Sequence, residues 1–427
     1  MQEAIATTKS VSSTRRATIW ILSVGLALRL VVLWTVIKTY PPTWLFTRGM
    51  EMGWLAKSML DGLGLSSPFG VPTGPSAFVA PGYPILVAGV FKLFGSYSQT
   101  SAIFIMCAQI ALNLVTVWLM MGIARKLFDQ RVAVVAGWVW ACSLPLIWMP
   151  TIFWDTSIAI CLLVGLLALV LDLQEKTSWL SWIYLGAYCA ITALINPAMI
   201  LALASMVAWL GWQRRRSQPL GLLVAALTFC IVFSPWPIRN YKVFHAFIPL
   251  RTTVGFELWM GNHHGATGFL EESLFPAFNQ AELNDYKARG EIAYTAHKEE
   301  LGKTYILTHP KSVSHLTAIR VVRYWAGTGA KGGSPVFAVH AVLTTVFGLL
   351  GLWMLYKQRR FSLVILFGVP FLLFPLPYYI THAEFRYRLA LDPLLTILAA
   401  YAVVSLFRSR QAPEPANLPE PGQVLHG

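Results

Sequence analysis

Glu51 lies in the stretch YPPTWLFTRGMEMGWLAKSMLDGLGLSSPFGVPTGPSAFVAPGYPILVAGVFKLFG, residues 40–95, between two strongly apolar segments. Lys57 and Asp61 follow it, then a Gly/Pro/Ser-rich passage that cannot continue as one helix. A structured loop of this length is usually functional rather than a spacer, so Glu51 is taken as the centre of an active site. Other polar groups recur at comparable places. Asp155 sits in MPTIFWDTS, Asn196 precedes Pro197, and Arg239 lies in SPWPIRNY. Asn262 and the His263-His264 pair lie in GNHHGATG, and Glu384, Arg386 and Arg388 in HAEFRYRLALDP. Gathered at one face of a helical bundle, such residues would line a cavity that opens outward.

Each candidate also has a plain structural alternative. Glu51 can favour the N-terminal dipole of the EMGWLAKSMLDG helix, and Asp155 can cap the helix it opens. Arg29, deep in an apolar run, is either an interhelical or snorkelling arginine or an anchor for an anionic group. Lys57, Arg239, Arg386 and Arg388 can anchor to lipid headgroups or pair with Glu384. The adjacent histidines could hold a metal, but they lack a ligand spacing.

Composition sets the class of elements that must position these residues. A chain of 427 residues that is 56% hydrophobic and 12% charged, with mean hydropathy +0.58, is an integral membrane protein. The net charge of +14 falls in short clusters between apolar runs, which is the pattern of membrane orientation and excludes a nucleic-acid partner. All five cysteines lie inside apolar runs and read as small core residues.

Windowed hydropathy gives about ten spans, at 17–37, 99–124, 131–147, 155–172, 180–195, 198–212, 219–236, 336–356, 361–379 and 389–407. If the short apolar run 82–94 lies at the interface, the cationic turns all fall on one side. These turns are Arg125/Lys126/Arg131, Lys176, Arg214–Arg216, Lys357/Arg359/Arg360 and Arg408/Arg410. That assigns cytoplasmic N- and C-termini and places Glu51 outside. The fold expected is an all-α polytopic bundle with a structured first outer loop (38–98) and a small outer-face helical region (237–335). The membrane module covers 17–236 and the C-terminal spans 336–408, with disordered ends at 1–16 and 409–427. Within the outer region a surface helix is expected over 280–307, then a break at His309-Pro310 and a second helix ending near Trp325.

The acid soon after the first span, APGYPILVAGVFKLFG, PWPIRNY and EFRYRLALDPLLTILAAY together resemble the bacterial GT-C glycosyltransferases. The closest group is the glycosyltransferase family 39-like set of protein O-mannosyltransferases and aminoarabinose transferases. In that family the loop acid is often an Asp-Glu pair, whereas Met50 precedes Glu51 here, and this chain has no large C-terminal soluble domain. The resemblance implies transfer of a sugar from a polyprenyl-phosphate donor to an acceptor on the non-cytoplasmic face, with inversion, in a bacterial inner membrane. It implies Glu51 as general base and Asp155 as a second acid that orients the acceptor or binds a divalent metal. Arg386, Arg388, Arg239 and Lys57 become candidates to meet the departing phosphate. The implied partners are the lipid-linked donor, membrane lipids and an acceptor of unread identity. A transporter or flippase of an anionic lipid is the alternative, though no internal repeat supports it.

Overall fold

The computed structural model describes residues 2–47, 49–175, 178–327 and 335–411, with side chains described over residues 15–408 of these. Among the described residues the chain is helices joined by turns, with one isolated antiparallel bridge between Ser66 and Pro75. It is an integral membrane protein. Among the described residues five helical segments are long and apolar enough to cross a bilayer: Arg15–Thr39, Gln99–Leu127, Thr156–Leu173, Pro335–Lys357 and Phe361–Ile380. Two bent pairs raise the number to seven. The segments read as ten spans all fall on helices, but several are too short to count as crossings by length and composition alone.

Helix α1 (Gln2–Thr39) takes in the segment that composition assigns to a disordered start. A short α2 (Pro42–Leu45) and α3 (Met50–Leu60) precede the Gly/Pro/Ser-rich loop, which leads to α4 (Gly82–Phe94). Helices α5 (Gln99–Leu127) and α6 (Gln130–Cys142) form a hairpin, and α6 turns by 60° into α7 (Leu144–Trp148) and the turn after it. Pro145 explains the bend and also the fate of Arg29. Proline has no N–H to offer the carbonyl four residues back, so the oxygen of Ala141 is left without its helical donor. Arg29 Nη1 donates to that oxygen at 3.0 Å and to Gly25 O at 2.8 Å, with the side chain fully buried. Arg29 is therefore an interhelical bolt between α1 and α6 and does not line the site.

Then come α8 (Thr156–Leu173), α9 (Trp179–Ile195), α10 (Ile200–Arg214) and α11 (Gly221–Phe233), the last bent by 41° into α12 (Pro235–Phe244). The outer region holds α13 (Val254–Gly261), α14 (Gln280–Arg289), α15 (Glu291–Thr308) and α16 (Pro310–Ala326). The single helix expected over 280–307 is thus two, because the chain turns at Gly290 with φ +76°, a conformation that glycine alone adopts freely. The break at His309-Pro310 falls where the sequence places it. Helices α17 (Pro335–Lys357), α18 (Phe361–Leu373), α19 (Leu376–Ile380), α20 (Phe385–Arg388) and α21 (Asp392–Gln411) complete the chain. The tail from 412 onward lies outside the described residues.

The core centres on α8, whose Leu163, Val164, Leu166 and Leu167 are fully buried, so this helix is apolar all round. Helix α17 packs against α21 at Gly351, where a Cβ would meet Leu398 O at 2.2 Å; close backbone approach at small residues is how membrane helices associate. The turns sort to two ends. At one, Lys126 pairs with Asp172 at 3.0 Å, Arg408 with Asp129 at 2.7 Å, and Arg360 donates to Leu127 O at 2.9 Å. Arg214 donates there to Gln174 O at 2.6 Å, so the cationic turns do share one end, Lys176 lying outside the described residues.

At the other end the first loop docks on the α12–α16 region. Buried Glu291 accepts from Ala77 N at 2.7 Å, Thr252 Oγ1 at 2.8 Å and Tyr286 Oη at 2.6 Å. Arg239 donates to Leu65 O and Ser76 O, both at 2.9 Å. Phe69, Phe78, Phe256, Met260 and Tyr294 form the small core between the two.

Candidate active site

Two glycines bring the site together. Gly49 has φ +84°, and a Cβ there would stand 2.1 Å from Phe153 O, so only glycine lets the start of α3 lie on the turn before α8. That contact sets Glu51, in the first turn of α3, beside Trp154 and Asp155. Gly261 meets Thr381 O with equal closeness, which presses the end of α13 against the segment leading into α20. The result is a cavity of about 350 Å³ into which Glu51, Asp155, Asn196, Arg251, Glu257, His382, Arg386 and Tyr387 converge, walled by Phe78, Trp154, Phe256, Phe374 and Tyr378.

Asp155 stands at the N-cap position of α8, yet its side chain makes no capping hydrogen bond. It faces the cavity and pairs instead with Asn196, with Arg386 and Arg251 acting on it through space. Burial raises its carboxyl above the ordinary range, against the pull of those cations and of Asn196. Glu51 is raised by burial too; Arg386 partly offsets this, while the like charges of Glu257 and Glu384 add to it. Both acids are therefore easier to protonate than a surface carboxylate.

Arg386 is the cation that faces them. Its Nε donates to Glu384 Oε2 at 2.7 Å and its Nη2 to Tyr387 Oη at 3.2 Å, and its plane lies 3.9 Å over the ring of Trp154. Burial works against its charge, but Tyr387, Glu384 and Asp155 hold it firmly protonated. Nη1 makes no hydrogen bond among the described residues.

Of the residues singled out from sequence, Glu51, Asp155, Asn196 and Arg386 meet in the cavity, with Glu384 behind Arg386. The others have structural work elsewhere. Lys57 is half-exposed and ion-paired with Asp61 one turn on. Arg239 clamps the loop carbonyls, and Asn262 is fully buried, donating to Leu258 O and Ile380 O at 2.8 Å. Arg388 is fully buried on Asp392, Thr344, Thr345 and the carbonyls of Trp325 and Ala341. His263 lies 3.6 Å from Glu271, its Nδ1 close to the carbonyl oxygen of His264. Among the described residues no three His, Cys, Asp or Glu side chains are grouped to share a metal ion. Arg251 and Glu257 were missed: they lie in IPLRTTVGFELW, residues 248–259, where spacing does not distinguish them, and the run is held at the cavity by long-range contacts, among them Thr252 Oγ1 to Glu291 at 2.8 Å and Thr252 N to Ala77 O at 3.1 Å.

The comparisons with known proteins agree with this architecture. Residues 78–238 match the family model described as dolichyl-phosphate-mannose-protein mannosyltransferase. None of the curated proteins matches the chain. Among solved structures, the archaeal oligosaccharyltransferase AglB from Archaeoglobus fulgidus, in complex with an inhibitory peptide and a dolichol-phosphate, superposes with a TM-score of 0.57 at 14% identity. The alignment covers 93% of this chain and 50% of that one. The same protein tethered to an acceptor peptide gives 0.55 at 15% identity, over 93% and 50%. The chain thus spans about half the length of the oligosaccharyltransferases it matches. ArnT from Cupriavidus metallidurans in the apo state aligns at 0.37 and 14% identity over 90% of this chain and 78% of that, too loosely to carry residue roles. The fold is that of the GT-C glycosyltransferases, as the sequence motifs indicate.

Proposed function

We propose that the chain is a membrane glycosyltransferase that moves a sugar from a polyprenyl-phosphate carrier to an acceptor hydroxyl on the non-cytoplasmic face, inverting the anomeric carbon. The observation that carries this reading is the guanidinium of Arg386, held on three sides and left with a free Nη1 edge in a cavity shared with two raised carboxyls. An immobilised guanidinium with unused donors suits a phosphate oxygen, and one fixed before the reaction needs no reorganisation as charge builds.

In this reading the acceptor O–H gives its proton to Glu51 as the oxygen attacks the anomeric carbon. The bond from that carbon to the phosphate oxygen breaks, and its electron pair leaves on the lipid phosphate, whose charge meets Arg386 and Arg251. The sugar passes through an oxocarbenium-like state between them. Asp155, paired with Asn196 and acted on by Arg386 and Arg251, orients the acceptor. The acceptor is a hydroxyl of a protein Ser/Thr, a lipid or a glycan. The cationic end of the bundle then faces the cytoplasm of a bacterial cell, the cavity the outside.

The test uses the full chain in nanodiscs with a polyprenyl-phosphate sugar and a panel of acceptors. Glu51→Gln is expected to lower transfer by about 10²–10⁴-fold with folding intact. Transfer that survives this change, or lipid movement across the bilayer without cleavage of the sugar–phosphate bond, overturns the reading.

A further inference from the structure

Hydrogen-bond polarity around Arg386 runs in one direction. A guanidinium only donates, so the oxygen of Tyr387, 3.2 Å from Nη2, must accept from it. The proton of the phenol then has to point elsewhere, and His382 Nε2 stands 2.9 Å away. If Oη–H donates to Nε2, that nitrogen carries a lone pair, and in a neutral imidazole the remaining proton sits on Nδ1. Nδ1 faces Glu257 Oε2 at 3.3 Å, an electrostatic contact rather than an aligned hydrogen bond, in keeping with a carboxylate that selects the Nδ1–H tautomer. His382 is buried, and burial also keeps Tyr387 in its protonated, donating form. The ring of Tyr387 is fixed separately by stacking on Tyr378 at 4.4 Å.

We propose that His382 and Tyr387 are positioning residues for the proposed lipid-phosphate site: Glu257 fixes the tautomer of His382, His382 holds the proton of Tyr387, and Tyr387 thereby presents only lone pairs to Arg386. This orients the guanidinium so that its unused Nη1 edge faces the cavity. Remove the acceptor at 382 and the phenol proton loses its partner, leaving Tyr387 free to turn a donor toward a donor. The inference rests on the reading of Arg386 as the phosphate ligand.

The experiment titrates the full chain in phosphatidylcholine nanodiscs with undecaprenyl phosphate, following the fluorescence of Trp154 against a Trp154→Phe control, with thermal melting as the check on folding. Arg386→Gln is expected to weaken binding more than tenfold. Tyr387→Phe, which keeps the stack on Tyr378, and His382→Leu are each expected to weaken it about five- to tenfold, whereas His382→Gln, whose Oε1 can accept from Tyr387, stays within about twofold of wild type. If Arg386→Gln weakens binding but His382→Leu and Tyr387→Phe do not, the relay is wrong and the phosphate reading stands. If His382→Gln is as weak as His382→Leu, His382 acts by packing and the polarity claim fails. Wild-type affinity in Arg386→Gln overturns both.

Discussion

Asp129 and Asp155 both stand at the N-cap position of a membrane helix, and the structure uses them in opposite ways. Asp129, at the cationic end, accepts from the backbone N–H of Arg131 at 2.8 Å and of Val132 at 3.1 Å and pairs with Arg408. Burial alone would raise its carboxyl, but those donors pull it below the ordinary range. Asp155, at the cavity end, leaves the helix uncapped, turns into the recess and is raised. One acid satisfies the backbone and the other faces the cavity. The cations differ in the same way: Lys126, Arg214, Arg360 and Arg408 bond carboxylates or carbonyls of neighbouring turns, while Arg386, paired with Glu384, lines the cavity.

The comparison can be broken first at the arginines. Arg386→Gln is expected to lower kcat/KM by about 10²–10³-fold, whereas Arg408→Gln, at a half-exposed pair, changes it less than about threefold. Equal losses at both ends would mean that Arg386 is one more structural cation. The acids give the next largest effect. Asp129→Ala should cost about 1 kcal/mol by thermal or denaturant unfolding in detergent, with transfer per folded molecule unchanged. Asp155→Ala should do the reverse, removing most of the transfer at no cost in stability.

Titration separates the ends more finely. With Glu51 as the proposed base, activity requires it ionised, so its acid limb should lie above the ordinary value of 4.5, and Glu257→Gln, by deleting a like charge, should move that limb to lower pH. A limb that moves upward or stays in place contradicts the assignment. For stability the signs oppose. The folded chain holds a proton on Glu51 that the unfolded chain releases, so this contribution is full below 4.5 and is lost as pH rises through the raised value. Asp129 contributes above its ordinary 3.8 and is lost as pH falls through the lowered value. Lys57→Ala, at the exposed i,i+4 pair, should be the smallest effect, within about 0.5 kcal/mol in stability and twofold in rate.

The amino-acid sequence alone determined the membrane class, the helical segments and the sharing of one end by the cationic turns, and it singled out Glu51 and Asp155, which the structure brings into one cavity. Those properties are local: apolar length decides burial in lipid, and an acid beside a span end is visible without a partner. What tertiary structure decided was the work of each cation. Arg29, Lys57, Arg239, Arg386 and Arg388 look alike in the chain, and each takes the role of whatever acceptor folding brings within 3 Å. For Arg29 that is the carbonyl released by Pro145, for Arg239 the loop carbonyls at 65 and 76, and for Arg388 the carboxylate of Asp392. Arg251 and Glu257 were hidden for the same reason, since the run that carries them is held by partners distant in sequence, Thr252 bonding both Glu291 and Ala77. A donor's function is set by which acceptors remain when the backbone is satisfied, and that remainder exists only in three dimensions.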